Sequence, residues 1–184
     1  MDPITRFIYA TSGGAKGPFD CQFLVIGGGG SPGAGYTNWW NGGGGAGGYI
    51  TSWDPNRIVG FWETTEYSGG NSTASNELLL APNTTYSVTI GAGASNGTGA
   101  AGSDSYIQGT DDNGNYFMIN ANGGGVGGGA QNGGSGGSGG GAGIWNLTTY
   151  QPGQPSAGQG FQGGSAIQTG GNQWSCNNYG GSNC

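Results

Sequence analysis

Few residues of this sequence have the types and spacing that catalysis or metal binding requires. The sequence has no histidine, which is the commonest general base and the commonest transition-metal ligand. Glu63 and Glu66 follow Phe61 and Trp62 in the sequence, as the acid pair of a glycosidase stands beside a sugar-stacking surface. That mechanism needs two carboxylates that face each other across a cleft on a rigid scaffold. Because these two lie three residues apart in a polar, turn-rich stretch, we interpret them as surface charges and predict no catalytic residue.

Three other motifs resemble ligand sites but lack an essential part. VIGGGGSPG at residues 25–33 follows an apparent strand, yet Pro32 and its glycines prevent the helix N-terminus that a dinucleotide pyrophosphate needs. GAAGSDSYI at residues 99–107 approximates one calcium-binding nonapeptide, whereas such sites form between stacked repeats. DDNGN at residues 111–115 lacks the EF-hand spacing and its closing Glu. We therefore predict neither a cofactor nor a metal site.

The three cysteines suggest structural roles. Cys21 alternates with Phe23 in an apparent strand, which is typical of a buried small hydrophobic residue. Cys176 and Cys184 bracket a loop short enough for a disulfide, while the odd number of cysteines does not suggest a disulfide framework. A bridge between Cys176 and Cys184 is therefore one of two alternatives, the other being free thiols.

Charge and hydropathy exclude several function classes. Lys and Arg number 3 against 9 Asp and Glu, which gives a net charge of -6 and argues against binding nucleic acid through its phosphates. The longest apolar run is residues 23–26, too short to insert into a membrane. The first residues show no secretory signal. We expect that a protein of this kind, if it works outside the cell, is released by lysis or by a dedicated route.

Composition also limits the fold. Of 184 residues 48 are Gly, and each interior glycine disfavours a helix by roughly 0.5–1 kcal/mol relative to Ala. The 6 Trp, 9 Tyr and 6 Phe argue against a disordered chain, since disordered chains are depleted in aromatic residues. Glycine has no strict period of three and Pro numbers only 7, which excludes collagen. The sequence thus predicts an all-β fold with little or no helix.

Short antiparallel strands are predicted through residue 120. Residues 19–26 alternate and then become continuously apolar, which predicts one strand whose later half is covered on both faces. Further strands are predicted at 49–53, 78–80 and 86–90. Asn113-Gly114 predicts a tight hairpin between residues 105–108 and 116–120.

The regions outside these strands differ in character. Residues 1–18 are apolar at Ile4, Phe7, Ile8 and Tyr9 with no partner nearby in sequence, and we interpret them as an arm that docks on another protein. Residues 19–184 are predicted to form a single glycine-rich domain, rich in strands at 19–120 and in extended glycine segments at 121–184.

Runs of glycine of similar length need an account other than a flexible linker. In polyglycine II helices the backbone N–H and C=O groups point outward, so that neighbouring segments can bond each other side by side. Only glycine permits the close approach, and Cα–H to carbonyl contacts add roughly 0.5–1 kcal/mol each. The sequence predicts a polyglycine II bundle with aromatic residues at its loop tips.

Along the chain, FLVIGGGG, GGGGAGGYI, LLLAPNTTYSVTIGAGA and GSDSYIQG precede a tail of GGG, GGSGG and QGFQGG pieces. In this order the pieces resemble the glycine-rich domain of bacteriophage tail-fibre proteins and related virion adhesins, and the resemblance covers residues 19–171. It implies strands leading into a polyglycine II bundle whose tips, here residues 36–41, 144–154 and 173–178, contact receptors on the host surface.

Aromatic side chains flanked by Asn, Gln and Thr offer stacking faces beside hydrogen-bonding groups, as recognition of a glycan or a protein requires. An alternative for each ring is packing against the bundle end or a neighbouring subunit. The predicted contact residues are Tyr36, Trp39, Trp40, Trp145, Tyr150, Trp174 and Tyr179.

We therefore expect a non-enzymatic virion structural protein on the particle exterior, extracellular after host lysis, that binds a host surface glycan or protein. Its arm would contact other virion proteins, and the resemblance to fibres makes a homo-oligomer, such as a trimer, one expectation. A capsid or tail decoration protein without receptor binding is the nearest alternative. An ice-binding protein and an extracellular matrix protein are alternatives from other classes, although the many tryptophans fit poorly with a flat ice-binding face.

Overall fold

The computed structural model describes residues 4–9, 18–34, 41–52, 78–129, 131–145, 148–168 and 174–177. These residues form twelve β-strands and no helix, which confirms the predicted all-β fold. The strands are β1 (Ile4–Tyr9), β2 (Phe19–Cys21), β3 (Leu24–Ile26), β4 (Tyr49–Thr51), β5 (Leu78–Leu80), β6 (Thr85–Ile90), β7 (Ser105–Thr110), β8 (Tyr116–Ala121), β9 (Ile144–Trp145), β10 (Thr148–Thr149), β11 (Ser165–Gln168) and β12 (Trp174–Asn177).

The largest sheet has four antiparallel strands in the order β1-β6-β7-β8. Its β7–β8 hairpin confirms the prediction made from Asn113-Gly114. Gly114 has a φ of 84°, which favours glycine. Asp111 accepts hydrogen bonds on Oδ1 from the backbone N–H groups of Asn113 (3.0 Å) and Asn115 (2.7 Å), so the carboxylate holds the turn as an Asx turn does.

Residues 19–26, predicted as one strand, are two strands with different partners. β2 pairs with β5, whereas β3 pairs with β4. Between them, the backbone N–H of Phe23 donates to Ser52 Oγ (2.8 Å), which interrupts the ladder. The prediction that the later half is covered on both faces is wrong, because Leu24 and Ile26 are 56% and 52% exposed. A run of apolar residues in a sequence does not show that one face of a two-stranded ladder stays exposed to solvent.

The main apolar core lies under the four-stranded sheet and centres on Tyr86, which is 1% exposed. Leu78 and Leu80 are buried with it, and Phe117 and Ile119 of β8 pack against the cluster. The Tyr86 and Phe117 ring centroids are 5.9 Å apart. The Tyr86 hydroxyl accepts a hydrogen bond from the Ala81 N–H (2.7 Å) and so ties the turn after β5 to the core.

The predicted docking arm is part of this sheet. β1 pairs with β6 over its whole length, with Ile4 opposite Ile90, Phe7 opposite Ser87 and Ile8 opposite Tyr86. Tyr9, opposite Thr85, ends the ladder. The arm therefore uses the backbone hydrogen-bonding groups along one of its edges to pair with β6 of its own chain. This pairing is possible because β6 has an open edge that accepts an apolar segment. That the arm also contacts another protein stays a prediction.

Six glycine-rich segments lie side by side and are joined by backbone hydrogen bonds. They comprise residues 27–34, 41–48, 91–104, 122–129, 131–143 and 150–164, and we call them the first to sixth glycine segments. Between the first and second, the N–H groups of Gly27, Gly30 and Gly33 donate to the carbonyls of Gly48, Gly45 and Gly42 at 2.9–3.0 Å. A bond at every third residue is the repeat of an extended helix with three residues per turn.

The fourth glycine segment is the centre of this arrangement. It bonds the first, second and third segments and both arms of the fifth, which folds back on itself between residues 131–137 and 138–143. Six of its glycines are buried: Gly123, Gly124, Gly125, Gly127, Gly128 and Gly129. A Cβ on any of them would meet backbone atoms of a neighbouring segment. These positions therefore require glycine for close approach.

Glycine segments from both halves of the predicted domain take part in the arrangement. The N–H groups of Gly42 and Gly45 donate to the carbonyls of Gly128 (2.6 Å) and Gly125 (2.7 Å), across the expected division at residue 120. Conversely, strands β9 to β12 lie in the half that was expected to hold glycine segments. The division in sequence is therefore not a division in space.

A serine side chain joins the first and third glycine segments. Ser31 is 1% exposed, and its Oγ accepts a hydrogen bond from the Ala100 N–H at 2.9 Å. We expect Ser31→Ala to lower the free energy of unfolding by about 1 kcal/mol, because that N–H loses its acceptor. Urea denaturation measures the change, with Ser103→Ala, at an exposed position of the third segment, as control. Equal losses in both variants would contradict the assigned role.

Candidate functional site

The glycine segments have two distinct ends. At one end, Gly27 bonds Gly48, and Gly48 bonds Asn122, directly next to β3, β4 and β8. Gln159 closes this junction: its Oε1 accepts from the Asn122 N–H (2.7 Å) and its Nε2 donates to the Asn120 carbonyl (3.0 Å). We call this the sheet end.

The opposite end, which we call the tip end, is where the predicted tip loops begin. A relay of backbone bonds from Gly33 to Gly42, Gly128 and Gly141 marks its level, at 2.6–3.0 Å. Just beyond that level, Ala34 and Asn41 flank residues 35–40, and strands β9 and β11 begin at Ile144 and Ser165. Three loops that are distant in sequence thus leave the glycine segments at one end.

Two short hairpins form the described part of the tip end. β9 pairs with β10 and β11 with β12, both antiparallel, and β10 lies beside β11. Under them, Ala142, Ile144 and Ala166 are buried together, and Tyr150 is half-buried against the cluster. The hairpins therefore have a small apolar core of their own, separate from the one at Tyr86.

The structure places three of the seven predicted contact residues at the tip end. Trp145 ends β9, Trp174 begins β12 opposite Gln168, and Tyr150 follows β10. Tyr150 packs on the tip core, so packing accounts for part of its ring. The other four, namely Tyr36, Trp39, Trp40 and Tyr179, lie outside the described residues.

A polar group at the base of the first tip loop has an unusual environment. The Asn41 Oδ1 atom is buried and has no hydrogen-bond partner in the described part of the chain. Buried acceptors are seldom left unpaired, since the desolvation cost is then uncompensated. Asn41 falls inside the predicted tip at residues 36–41, but no sequence signal distinguishes it from Asn38, the other asparagine of that tip.

The sequence prediction missed a second exposed aromatic surface, at the sheet end. Tyr116 is 67% exposed and Met118 is 48% exposed, on the face of β8 opposite Phe117 and Ile119. The Tyr116 hydroxyl donates to Gln108 Oε1 at 2.8 Å, which fixes the ring across the hairpin. The alternation in residues 116–120 was the signal that could have shown this face.

Reactive groups are sparse in the described residues. They contain no group of three or more His, Cys, Asp or Glu side chains that could hold a metal ion. Burial raises the pKa of the Cys21 thiol, so little thiolate forms at neutral pH. Cys176 lies in β12, and Cys184 falls outside the described residues, so their bridge stays a prediction.

Comparison with known proteins leaves the fold and the tip end as the basis for a functional argument. No family model, no curated protein and no solved structure matches this chain. Within the residues that the structure describes, no helix has the length and apolar character to cross a membrane.

Proposed function

We propose that the six glycine segments form a polyglycine II bundle. The support is the bonding pattern: bonds recur at every third residue between the first and second, second and fourth, and fourth and fifth segments. Successive residues of the fourth segment also donate to different neighbours, since Gly124 bonds Gly28 while Gly125 bonds Ser138. A helix with three residues per turn directs successive N–H groups about a third of a turn apart.

We propose further that the protein is a non-enzymatic structural component of a bacteriophage virion, exposed on the particle exterior as a small fibre or tip adhesin. The observation that carries this is the tip end, where the described residues that flank three aromatic, amide-rich loop sequences lie at the same end of the glycine segments. Trp and Tyr beside Asn, Gln and Thr suit a neutral glycan or a protein loop on the host surface.

The construction of the molecule suits such a role. Backbone hydrogen bonds between glycine segments do not depend on the tip sequences, so the loops can vary while the scaffold stays the same. Contact with other virion proteins would then fall to the sheet end, which carries β1. This division separates attachment from recognition.

Immunogold electron microscopy of phage particles that contain this chain tests the proposed location. We expect label at the outer end of the tail, in intact particles and without detergent. Label spread over the capsid would instead support a decoration protein. Absence of the chain from purified particles, checked by mass spectrometry, would overturn the virion assignment altogether.

Tryptophans of the first tip loop provide the functional prediction. The double variant Trp39→Ala and Trp40→Ala is expected to lower the rate of phage adsorption to host cells by about tenfold or more, because buried aromatic anchors dominate interfaces. Particle yield should stay normal. The matched control is Phe161→Ala, which removes a 40% exposed aromatic ring from the sixth glycine segment and should leave adsorption unchanged. Unchanged adsorption of the double variant would contradict the adhesin role.

A further inference from the structure

The second glycine segment, residues 41–48, lies at an edge of the glycine arrangement. Its neighbours are the first, fourth and fifth segments, which use the N–H groups of Gly42, Gly45 and Gly48 and the carbonyls of five of its residues. The N–H groups of Gly43, Gly44, Ala46 and Gly47 have no hydrogen-bond partner among the described residues, nor do the carbonyls of Gly44 and Gly47. The segment thus presents open rows of donors and acceptors.

These open rows have the repeat that the molecule uses internally. Gly44 and Gly47 are three residues apart, as are Gly43 and Ala46, and every third residue is the spacing of the bonds between the first and second segments. A further extended segment laid against the edge would find donors or acceptors in register. Ala46 is exposed, so the edge is accessible to such a segment.

Bonding between the second segment and each of its three neighbours is one-way. The first segment only donates to the second, the second only donates to the fourth, and the fifth only donates to the second. A three-fold helix explains this, because an N–H and a C=O of one residue point toward different neighbours. A partner at the open edge therefore meets either a donor row or an acceptor row.

The sixth glycine segment contains two prolines that remove backbone donors. Pro152 and Pro155 are three residues apart and supply no N–H groups. Proline at an edge strand prevents further pairing in sheets, and the same reason applies to extended glycine segments. The second segment has no proline, and its side chains beyond glycine are those of Asn41 and Ala46.

Charge favours a second copy of this chain as the partner. The chain carries a net charge of -6, so two copies repel each other over most surfaces. Residues 21–53, however, contain no charged side chain. β3 and β4 continue the first and second segments, and exposed Leu24 and Ile26 extend the uncharged flank with apolar surface.

We propose that the open edge of residues 41–48 is an interface between copies of this chain, in which the donor row of one copy bonds the acceptor row of the next. Because the bonding is one-way, a two-fold contact would oppose donors to donors. The contact is heterologous, and it closes as a ring or continues as a filament. This inference does not depend on the role of the tip end.

Analytical ultracentrifugation of the full chain over a wide concentration range tests the proposed interface between copies. We expect wild-type protein to associate beyond a dimer, and Ala46→Glu to raise the dissociation constant by at least about tenfold, since like charges then face each other. Ala101→Glu places the same charge at an exposed alanine of the third segment and should associate like wild type. A strictly monomeric or strictly dimeric wild-type protein, or equal effects of both variants, would overturn the proposal.

Amide hydrogen exchange of the wild-type protein gives a test that needs no variant. The N–H groups of residues 43, 44, 46 and 47 should divide into a row that becomes protected as concentration rises and a row that stays fast. Protection that does not change with concentration at any of them would overturn the interface. Circular dichroism of Ala46→Glu, compared with wild type, establishes that its loss of association is not a loss of fold.

Discussion

Replacing Tyr86 with alanine is expected to lower the free energy of unfolding by about 3–5 kcal/mol, the range for truncating a fully buried aromatic residue. Tyr86 is 1% exposed and joins β5, β6 and β8 through Leu78, Leu80 and Phe117. Gly109 lies under its ring, since a Cβ there would meet Tyr86 Cδ1. Gly109 has no side chain that could fill the cavity left beneath the ring.

Thermal denaturation measures this loss, which corresponds to a fall in Tm of about 2–4 °C per kcal/mol for a chain of this size. Tyr86→Phe keeps the ring and should cost about 0.5–1.5 kcal/mol, because the Ala81 N–H then loses its acceptor. Tyr116→Ala, at a 67% exposed position of the neighbouring strand, should stay within about 0.5 kcal/mol of wild type. Equal effects of Tyr86→Ala and Tyr116→Ala would show that the core does not centre on Tyr86.

The part of the four-stranded sheet that was predictable is the β7–β8 hairpin, because residues close together in the sequence determine it. Asn113-Gly114 fixes a tight turn between two alternating runs, so both the hairpin and its inward residues follow from residues 105–120 alone. The split of residues 19–26 was not predictable. It depends on Ser52, which bonds the backbone of Phe23 from 29 residues away in the chain.

Pairing among glycine segments could not be predicted for a different reason. In a strand, alternating side chains indicate which face packs against a partner. A glycine segment has no side chains that specify its neighbour or its register. The sequence therefore indicated that extended glycine segments would bond each other, but not that residues 122–129 would be central. The few side chains that remain, such as those of Ser31 and Gln159, bond the backbone of another segment and so fix which residues lie opposite each other.

The tip end was predictable in part for a related reason. Loops at residues 144–154 and 173–178 were recognised by aromatic residues between glycine runs, and the described strands β9, β10 and β12 fall within them. That they lie at the same end as Asn41 follows from the direction in which each glycine segment runs, which no local pattern encodes. The aromatic face at Tyr116 was not predictable in the same way, because Tyr116 lies in an alternating strand, where a half-buried strand and a contact face have the same pattern.

Glycine positions within one segment are not equivalent, and this leads to the second large effect. Gly125 is buried at the centre of the arrangement, and a Cβ there would meet the Gly134 carbonyl and come within 2.9 Å of the Gly140 nitrogen. Gly29 is exposed, and the nearest atom to a Cβ there is the Gly45 oxygen at 3.8 Å, an ordinary contact.

We therefore expect Gly125→Ala to destabilise the protein by about 3 kcal/mol or more, because backbone atoms on two sides of the methyl group cannot rotate away as a side chain would. Gly29→Ala should have the opposite sign, a stabilisation of about 0.4–1 kcal/mol, since alanine reduces the entropy of the unfolded chain where the native backbone accommodates it. Urea denaturation of both variants beside wild type measures the two changes. If Gly125→Ala were as stable as Gly29→Ala, close approach of backbones could not be what holds the glycine segments together.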